Sequence, residues 1–317
     1  MSRRKADMML VIATMFWGSS YLFMKMGLQS VEPFNLIALR FIIAFIITGC
    51  LFYKRLVRTD RRTLLYGFIL GVNLFFVFTT VTFGVRLTST SNAGFLVSLT
   101  VIFVPILSSL LFHKKLTLQL GLGIGLALTG IGLLTLKTHF VIGTGDFYCI
   151  LCALFNAIYF ITANKLTRNS DSIALGVWQL GFTGVLSGLF SLFTETTRLP
   201  GNTESWTAVL GLSLLCTAVG YIMQTSAQKF TTSEHTGLIF TLEPVFSALF
   251  AFLFAGEKLS VKGYVGAVLV LLSVLIAVSK SGKLLFQLPF PFKRSSINRM
   301  KNSLEVKSPK GKQSISR

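Results

Sequence analysis

Acid is what this chain has least of. Eleven Asp and Glu stand against 30 Lys and Arg in 317 residues, and charged residues of all kinds reach only 13%. That is too little charge for the surface of a soluble globular domain. Histidine is scarcer still at three, and three scattered imidazoles cannot build a metal cluster. No G-x-S-x-G, H-E-x-x-H or Walker sequence occurs, so no serine hydrolase, zinc protease or direct ATP drive is expected. Gly143-Thr-Gly-Asp146 copies the G-x-G-D of intramembrane aspartyl proteases. That chemistry needs a second membrane aspartate, and Asp7, Asp60 and Asp171 all read as loop or tail residues. An enzyme is not expected, and no cofactor is implied. A channel finds no filter-like loop or ring of acids to rest on. Four cysteines, Cys50, Cys149, Cys152 and Cys216, fall inside apolar segments. Cys149 and Cys152 have redox or metal spacing but no His or acidic neighbour, so they read as packed thiols with no disulfide.

Apolar length is what the chain has in abundance. Hydrophobic residues make up 52%, with 30 Phe and 27 Gly, and the mean hydropathy is +0.71. Small residues of this kind let helices approach closely in lipid. A hydrocarbon layer of ~30 Å takes about 20 helical residues to cross, and such stretches recur at 8–28, 34–53, 64–85, 90–112, 118–137, 146–166, 174–194, 205–226, 234–255 and 261–280. The first follows Arg3-Arg4-Lys5 but is too long for a signal-peptide core and has no A-x-A-like site, so it reads as a span.

The charge of +19 points to the membrane rather than to nucleic acid once its distribution is read. With the N-terminus inside, 23 of the 30 Lys and Arg fall in cytoplasmic segments. Lys25, Arg86, Lys137, Arg198, Lys258 and Lys262 lie outside, and Arg40 lies within the second span. This is the positive-inside bias, and it places both termini in the cytoplasm. Residues 281–317 hold nine Lys and Arg against Glu305 alone, a basic tail suited to anionic headgroups.

Residues 86–117 reappear in pattern at 229–260, a constant shift of 143. Arg86-Leu-Thr-Ser-Thr-Ser-Asn-Ala-Gly94 answers Lys229-Phe-Thr-Thr-Ser-Glu-His-Thr-Gly237, and seven of the 32 pairs are identical. The chain thus divides into residues 1–140 and 141–280, five spans each, with the tail beyond. Five is odd, so a second copy starts from the opposite face. The expected fold is an all-α integral membrane protein, with ten transmembrane helices as two inverted five-helix repeats. Lys114 opposite Glu257 is the charge adjustment that inversion would favour.

Phe16-Trp-Gly-Ser-Ser-Tyr21, Pro33 with Arg40-Phe41, Asn92-Ala-Gly-Phe-Leu96 with Pro105, and Leu242-Glu-Pro-Val-Phe-Ser-Ala-Leu249 running to Gly256-Glu-Lys-Leu-Ser260 carry a resemblance. Across residues 8–280 the chain resembles the EamA-type family of the drug/metabolite transporter superfamily. His113-Lys114 departs from it, since the family often carries Gly-Glu there too. The resemblance implies a metabolite carrier, often an exporter, with a central cavity lined by both repeats.

Glu243 is the deepest acid, near the middle of the ninth span. A charged carboxylate facing lipid costs several kcal/mol, so it should face a wet interior, where it is either a switchable group or a protonated helix bridge. Pro244 beside it weakens the helix; in the first copy Thr100-Val101 stand there, and the proline comes later, at Pro105. Both prolines are candidate flexible points. Asn92 and His235 are equivalent positions, able to line two mouths of one pathway, with a solvated helix end the other reading of His235. Trp17, Tyr21 and Lys25 share one face of the first span; Lys25 either meets a substrate carboxylate or snorkels to the headgroups. Asn156 and Tyr159 form a similar pair, cavity-lining or helix-bridging, and Gln224 reads likewise. Arg40 reads as a structural anchor, and Asp146 as an N-cap.

The function expected is a secondary transporter of small metabolites, amino acids or related amphiphiles, exporting by alternating access across the cell membrane. Import by the same fold and a non-transporting scaffold are the alternatives. Proton coupling through Glu243 and homodimerisation are open at this point.

Overall fold

The computed structural model describes residues 1–88, 90–112, 118–135, 143–255 and 260–278. Residues 113–117, 137, 256–259 and the basic tail 281–317, with the loop charges read there, lie outside the described residues. So does the side chain of Asn92. All regular elements among the described residues are helices: α1 (Arg3–Gly27), α2 (Pro33–Leu51), a short α3 (Tyr53–Val57), α4 (Arg61–Leu87), α5 (Thr90–Ser98), α6 (Thr100–Phe112) and α7 (Leu118–Thr135). The second half has α8 (Thr144–Thr167), α9 (Ser172–Thr194), α10 (Thr203–Gly211), a π-helical stretch (Leu212–Val219), α11 (Gly220–Gln228), α12 (Ser233–Ile239), a 3-10 turn (Phe240–Leu242), α13 (Glu243–Ala255) and α14 (Val261–Val278).

Several helices start where a short polar side chain takes up a free amide. Asp171 accepts from Ile173 N at 2.9 Å, Asn202 from Ser205 N at 2.8 Å, and Thr232 from His235 N at 3.2 Å. At α8 the expected cap is displaced by three residues. Gly143 holds the cap position, and Asp146 reaches back to its N–H at 2.9 Å while accepting the Thr88 hydroxyl at 2.6 Å. Helix α2 opens on Pro33, whose missing N–H costs nothing there. Its next two amides are capped from far along the chain, Phe34 N and Asn35 N each donating to Glu195 at 2.9 Å.

Six helical segments, Arg3–Gly27, Pro33–Leu51, Arg61–Leu87, Thr144–Thr167, Ser172–Thr194 and Thr203–Gln228, are long and apolar enough to cross a membrane. The other expected spans are shorter or broken. The fourth divides at Leu99 into α5 and α6, and the ninth at Phe240–Leu242 into α12 and α13. The eighth runs through but opens into the π turn.

The shift of 143 read from the two loops holds for the elements themselves. Added to the bounds of α6 and of α7, it gives those of α13 and α14. It also carries the break at Leu99 onto Leu242. Contacts across the halves are matched in kind: α4 packs on α8 as α1 packs on α10 and α11, while α2 meets α9 and α7 meets α14. The last two pairs run antiparallel. A Cβ on Gly130 would sit 2.6 Å from the Gly266 carbonyl, whereas Gly123 lies near Ser273. Gly181 faces Phe45, Gly184 faces Ile42 and Gly188 faces Ala38. Glycine at these crossings lets backbones close where any side chain would hold them apart.

Candidate functional site

The breaks in the two related spans fall at the middle of the molecule, and polar side chains gather beside them. In the first copy the Thr100 hydroxyl donates to Val97 O at 2.6 Å and to Ala153 O at 3.2 Å, tying the start of α6 to α8. In the second copy Thr241 donates to Leu238 O at 2.7 Å, and Glu243 opens α13. Pro244 is therefore in the first turn of a helix, where proline is tolerated. Pro105 lies inside α6 and is buried. The break in the first copy precedes its proline by six residues, so proline alone does not make the breaks.

Two chambers meet here. One is bounded by Trp17, Ser98, Thr100, Phe160, Thr241 and Glu243 among others. The second, the larger of the two, is bounded by Tyr21, Met24, Arg40, Phe78, Tyr221 and Glu243 among others. Trp17, Val97, Asn156 and Glu243 line both and so form the partition between them. Two of these come from each half of the chain.

Each partition residue has a visible support. Trp17, 7% exposed, donates its indole N–H to the Cys216 carbonyl at 2.7 Å. Its ring packs on Phe240 at 4.8 Å and Tyr221 at 4.9 Å. Cys216 belongs to the π-helical stretch, a widened turn of the kind that recurs at functional sites. Glu243 is half-buried because it looks into both chambers. Tyr21 and Arg40 line the larger chamber with it. Asn156 is half-buried, and its amide has no hydrogen-bond partner among the described residues.

Arg40, read from the sequence as a structural anchor, also lines the site. It is 2% exposed and lines the larger chamber. Its Nε donates to the Thr217 hydroxyl, from the same π-helical stretch, and its guanidinium lies over the Phe78 ring at 4.4 Å. A signal was available: Arg40 is the basic residue deepest in a span as Glu243 is the deepest acid, and buried membrane charges face each other or water. Tyr221, Thr217 and Phe78 carried no comparable signal.

Other expected residues lie elsewhere. Tyr159 is fully buried, donating at 2.9 Å to Gln179, which in turn donates to Thr225 at 2.9 Å. It is a helix bridge and does not line either chamber. Gln224 is fully buried, and neither end of its amide has a hydrogen-bond partner among the described residues. Asn92 falls on α5, its side chain outside the described residues. His235 is not solvated but 7% exposed, where the start of α12 meets the start of α1. Arg3 Nη2 lies 3.2 Å from its Nδ1, and Asp7 Oδ1 lies 3.6 Å from its Nε2. With the proton on Nε2 the ring accepts from Arg3 and turns its N–H toward Asp7. Asp7, read as a loop or tail residue, is thus a buried helical residue.

Comparison with known proteins agrees with this architecture. Residues 4–136 and 143–279 each match the EamA-like transporter family. The chain is 32% identical over 275 residues to an uncharacterized transporter of Archaeoglobus fulgidus, with 86% of each chain covered. It is 22% identical to an uncharacterized transporter of Bacillus subtilis, covering 82% of this chain and 92% of that one. A protein crystal structure superposes with a TM-score of 0.74 at 20% identity, over 87% of this chain and 97% of the other, a likeness of fold. Two matches to one family, one in each half of a helical chain with several membrane-length spans, lead to one conclusion: the chain is a multi-pass membrane transporter protein and belongs to the EamA-like transporter family.

Proposed function

We propose that this protein is a secondary carrier of small metabolites, amino acids or related amphiphiles, working by alternating access in the cell membrane. The observation that carries the reading is the partition of Trp17, Val97, Asn156 and Glu243, drawn equally from both halves, with a chamber on either side of it. A solute held there is passed from one chamber to the other by moving one half against the other. The chain crosses ten times, residues 1–140 and 141–280 are inverted repeats, and both termini with the basic tail 281–317 face the cytoplasm. Support for inversion comes from the equivalent helices α7 and α14, and α2 and α9, which meet antiparallel. Support for the orientation comes from the charge distribution.

In that orientation the Arg3–Asp7–His235 cluster closes the cytoplasmic end, as the equivalence of His235 and Asn92 suggests for the two mouths. Pro105, Pro244 and the two helix breaks supply the places where spans can flex. Export is favoured by the family resemblance, and Glu243 is the group through which protons would couple. A homodimer is compatible with the fold and is not required by it.

Counterflow tests the reading. Purified full-length protein in liposomes loaded with unlabelled amino acids should accumulate labelled amino acid from outside. Glu243→Gln should exchange with a flattened pH dependence. Exchange by the variant with the wild-type pH profile would remove Glu243 from coupling. No exchange of any metabolite would remove the carrier reading itself.

A further inference from the structure

From the short helix α3, which joins α2 to α4, we infer that the protein holds an anionic phospholipid at this turn. Its phosphate lies on Lys54, Arg58 and Arg61, and its acyl chains run along Leu51, Tyr53 and Val57. The inference goes beyond the carrier reading and takes from it only the side of the membrane, the cytoplasmic leaflet.

Helix α3 is pinned along one face. Arg55 Nη1 donates to both oxygens of Asp171, at 3.1 and 3.2 Å. Four residues on, the Thr59 hydroxyl accepts from Trp178 Nε1 at 3.1 Å and donates to the Arg55 carbonyl at 3.0 Å. Asp171 caps α9 and Trp178 lies within it, so two contacts one turn apart fix the rotation of α3 about its axis. That fixes what its other faces present. Successive residues of a helix are about 100° apart, so positions four apart form rows. Tyr53 and Val57, 57% and 82% exposed, make an apolar row. Lys54 and Arg58, both exposed, make a basic row between it and the pinned face. Leu51, also exposed, ends α2 just before the apolar row, and Arg61 opens α4 just after the basic one.

Residues 53–62 hold five Lys and Arg against Asp60 alone. Arg55 is paired with Asp171, Arg62 donates to the Tyr66 hydroxyl at 2.6 Å, and Asp60 caps α4. Lys54, Arg58 and Arg61 have no carboxylate within salt-bridge distance among the described residues. They stand at the ends of two membrane-length helices, at the depth where headgroup phosphates lie. Charges that only orient a span need no fixed arrangement, whereas these are held in place by the contacts to α9. The arginine fork matches a phosphate bidentately, and lysine adds a point charge. A free phosphate would use the basic row and leave the apolar row in place beside it, unused. An amphiphile with a phosphate at the head of its acyl chains covers both rows at once. A zwitterionic phospholipid brings its own ammonium to the basic row and gains less there.

The test titrates full-length protein in detergent with a fluorescent phosphatidylglycerol. Unlabelled phosphatidylglycerol, phosphatidylcholine and glycerol 3-phosphate then compete for it. In wild type the unlabelled phosphatidylglycerol should displace the probe at least about tenfold more readily than either other competitor. The triple variant Lys54→Gln, Arg58→Gln, Arg61→Gln should bind the probe at least about tenfold more weakly, each single substitution taking part of that loss. Removing the same charge at the opposite end, with Lys25→Gln, Arg198→Gln and Lys262→Gln, should leave binding within about twofold. Arg58→Lys with Arg61→Lys, which keeps the charge, should retain most of it. The replaced side chains are exposed, so the lipid-free variants should unfold at the wild-type temperature. Equal loss in the two triple variants would reduce the effect to net charge and overturn the site, as would undiminished binding by the first. Displacement by glycerol 3-phosphate as ready as by the lipid would overturn the lipid assignment in favour of a free phosphate. None of these outcomes touches the carrier reading, which stands or falls with counterflow.

Discussion

Trp17 shows how one side chain joins the two halves at the site. Its indole N–H is satisfied by a backbone carbonyl 199 positions away, inside the π-helical stretch, and its ring fills the corner between Phe240 and Tyr221. Gly220 is what permits this, since a Cβ there would lie 2.6 Å from the indole nitrogen. Gly220→Ala should therefore push the ring aside and cost about 1–3 kcal/mol, the usual cost of overpacking. Trp17→Phe, which keeps most of the ring and removes the donor, should cost about 1 kcal/mol. Denaturant midpoints of the purified variants check both, and an unchanged midpoint for Gly220→Ala would contradict the packing described. At this scale the sequence was legible for residues that break a local rule. Glu243 and Trp17 stand out in apolar runs, and both line the chambers. Arg40 broke the same rule, but its distance from Glu243 along the chain hid the fact that both line one chamber. Asp7 misled in the other direction, because polar residues at helix starts usually meet water, and this one meets His235.

The broken spans are the informative elements. Proline was the visible signal for them, yet the break at Leu99 comes before Pro105, while Pro244 follows the turn at Phe240–Leu242. The two prolines should therefore respond differently to replacement. Pro244→Ala, in the first turn of α13, should change stability by less than about 1 kcal/mol, because the amide it restores has no intrahelical partner there. Pro105→Ala, inside α6, restores an amide that can bond to the Val101 carbonyl and should stabilise the helix, by up to about 3 kcal/mol. Thermal unfolding of the two variants side by side would show the difference, and equal shifts would contradict it. The π-helical stretch had no comparable signal. Trp17 and Arg40 reach it from α1 and α2, and such contacts across the fold are invisible to periodicity.

At the scale of the whole molecule, the shift of 143 residues was the most legible feature, because duplication leaves hydrophobic length and glycine spacing intact even where identity has faded. It was read from one pair of segments and extends to the bounds of α6 and α7, which it carries onto those of α13 and α14. What duplication does not reveal is where the copies differ: under the shift Glu243 corresponds to Thr100, and His235, which meets Arg3 and Asp7, corresponds to Asn92. In the proposed cycle the Arg3–Asp7–His235 cluster closes the cytoplasmic end. Asp7→Asn removes the acid from the cluster, and it should weaken closure of that end while leaving the partition intact.

Alternating access at the partition is the central claim, and side-specific labelling at Asn156 tests it most directly. With the four native cysteines replaced by alanine and Asn156→Cys introduced, an impermeant thiol reagent is applied to one face of sealed vesicles and then, separately, to the other. The account predicts modification from both faces, with Asp7→Asn raising the rate from the cytoplasmic face and lowering it from the other. Modification from one face only, unchanged by Asp7→Asn, would contradict it.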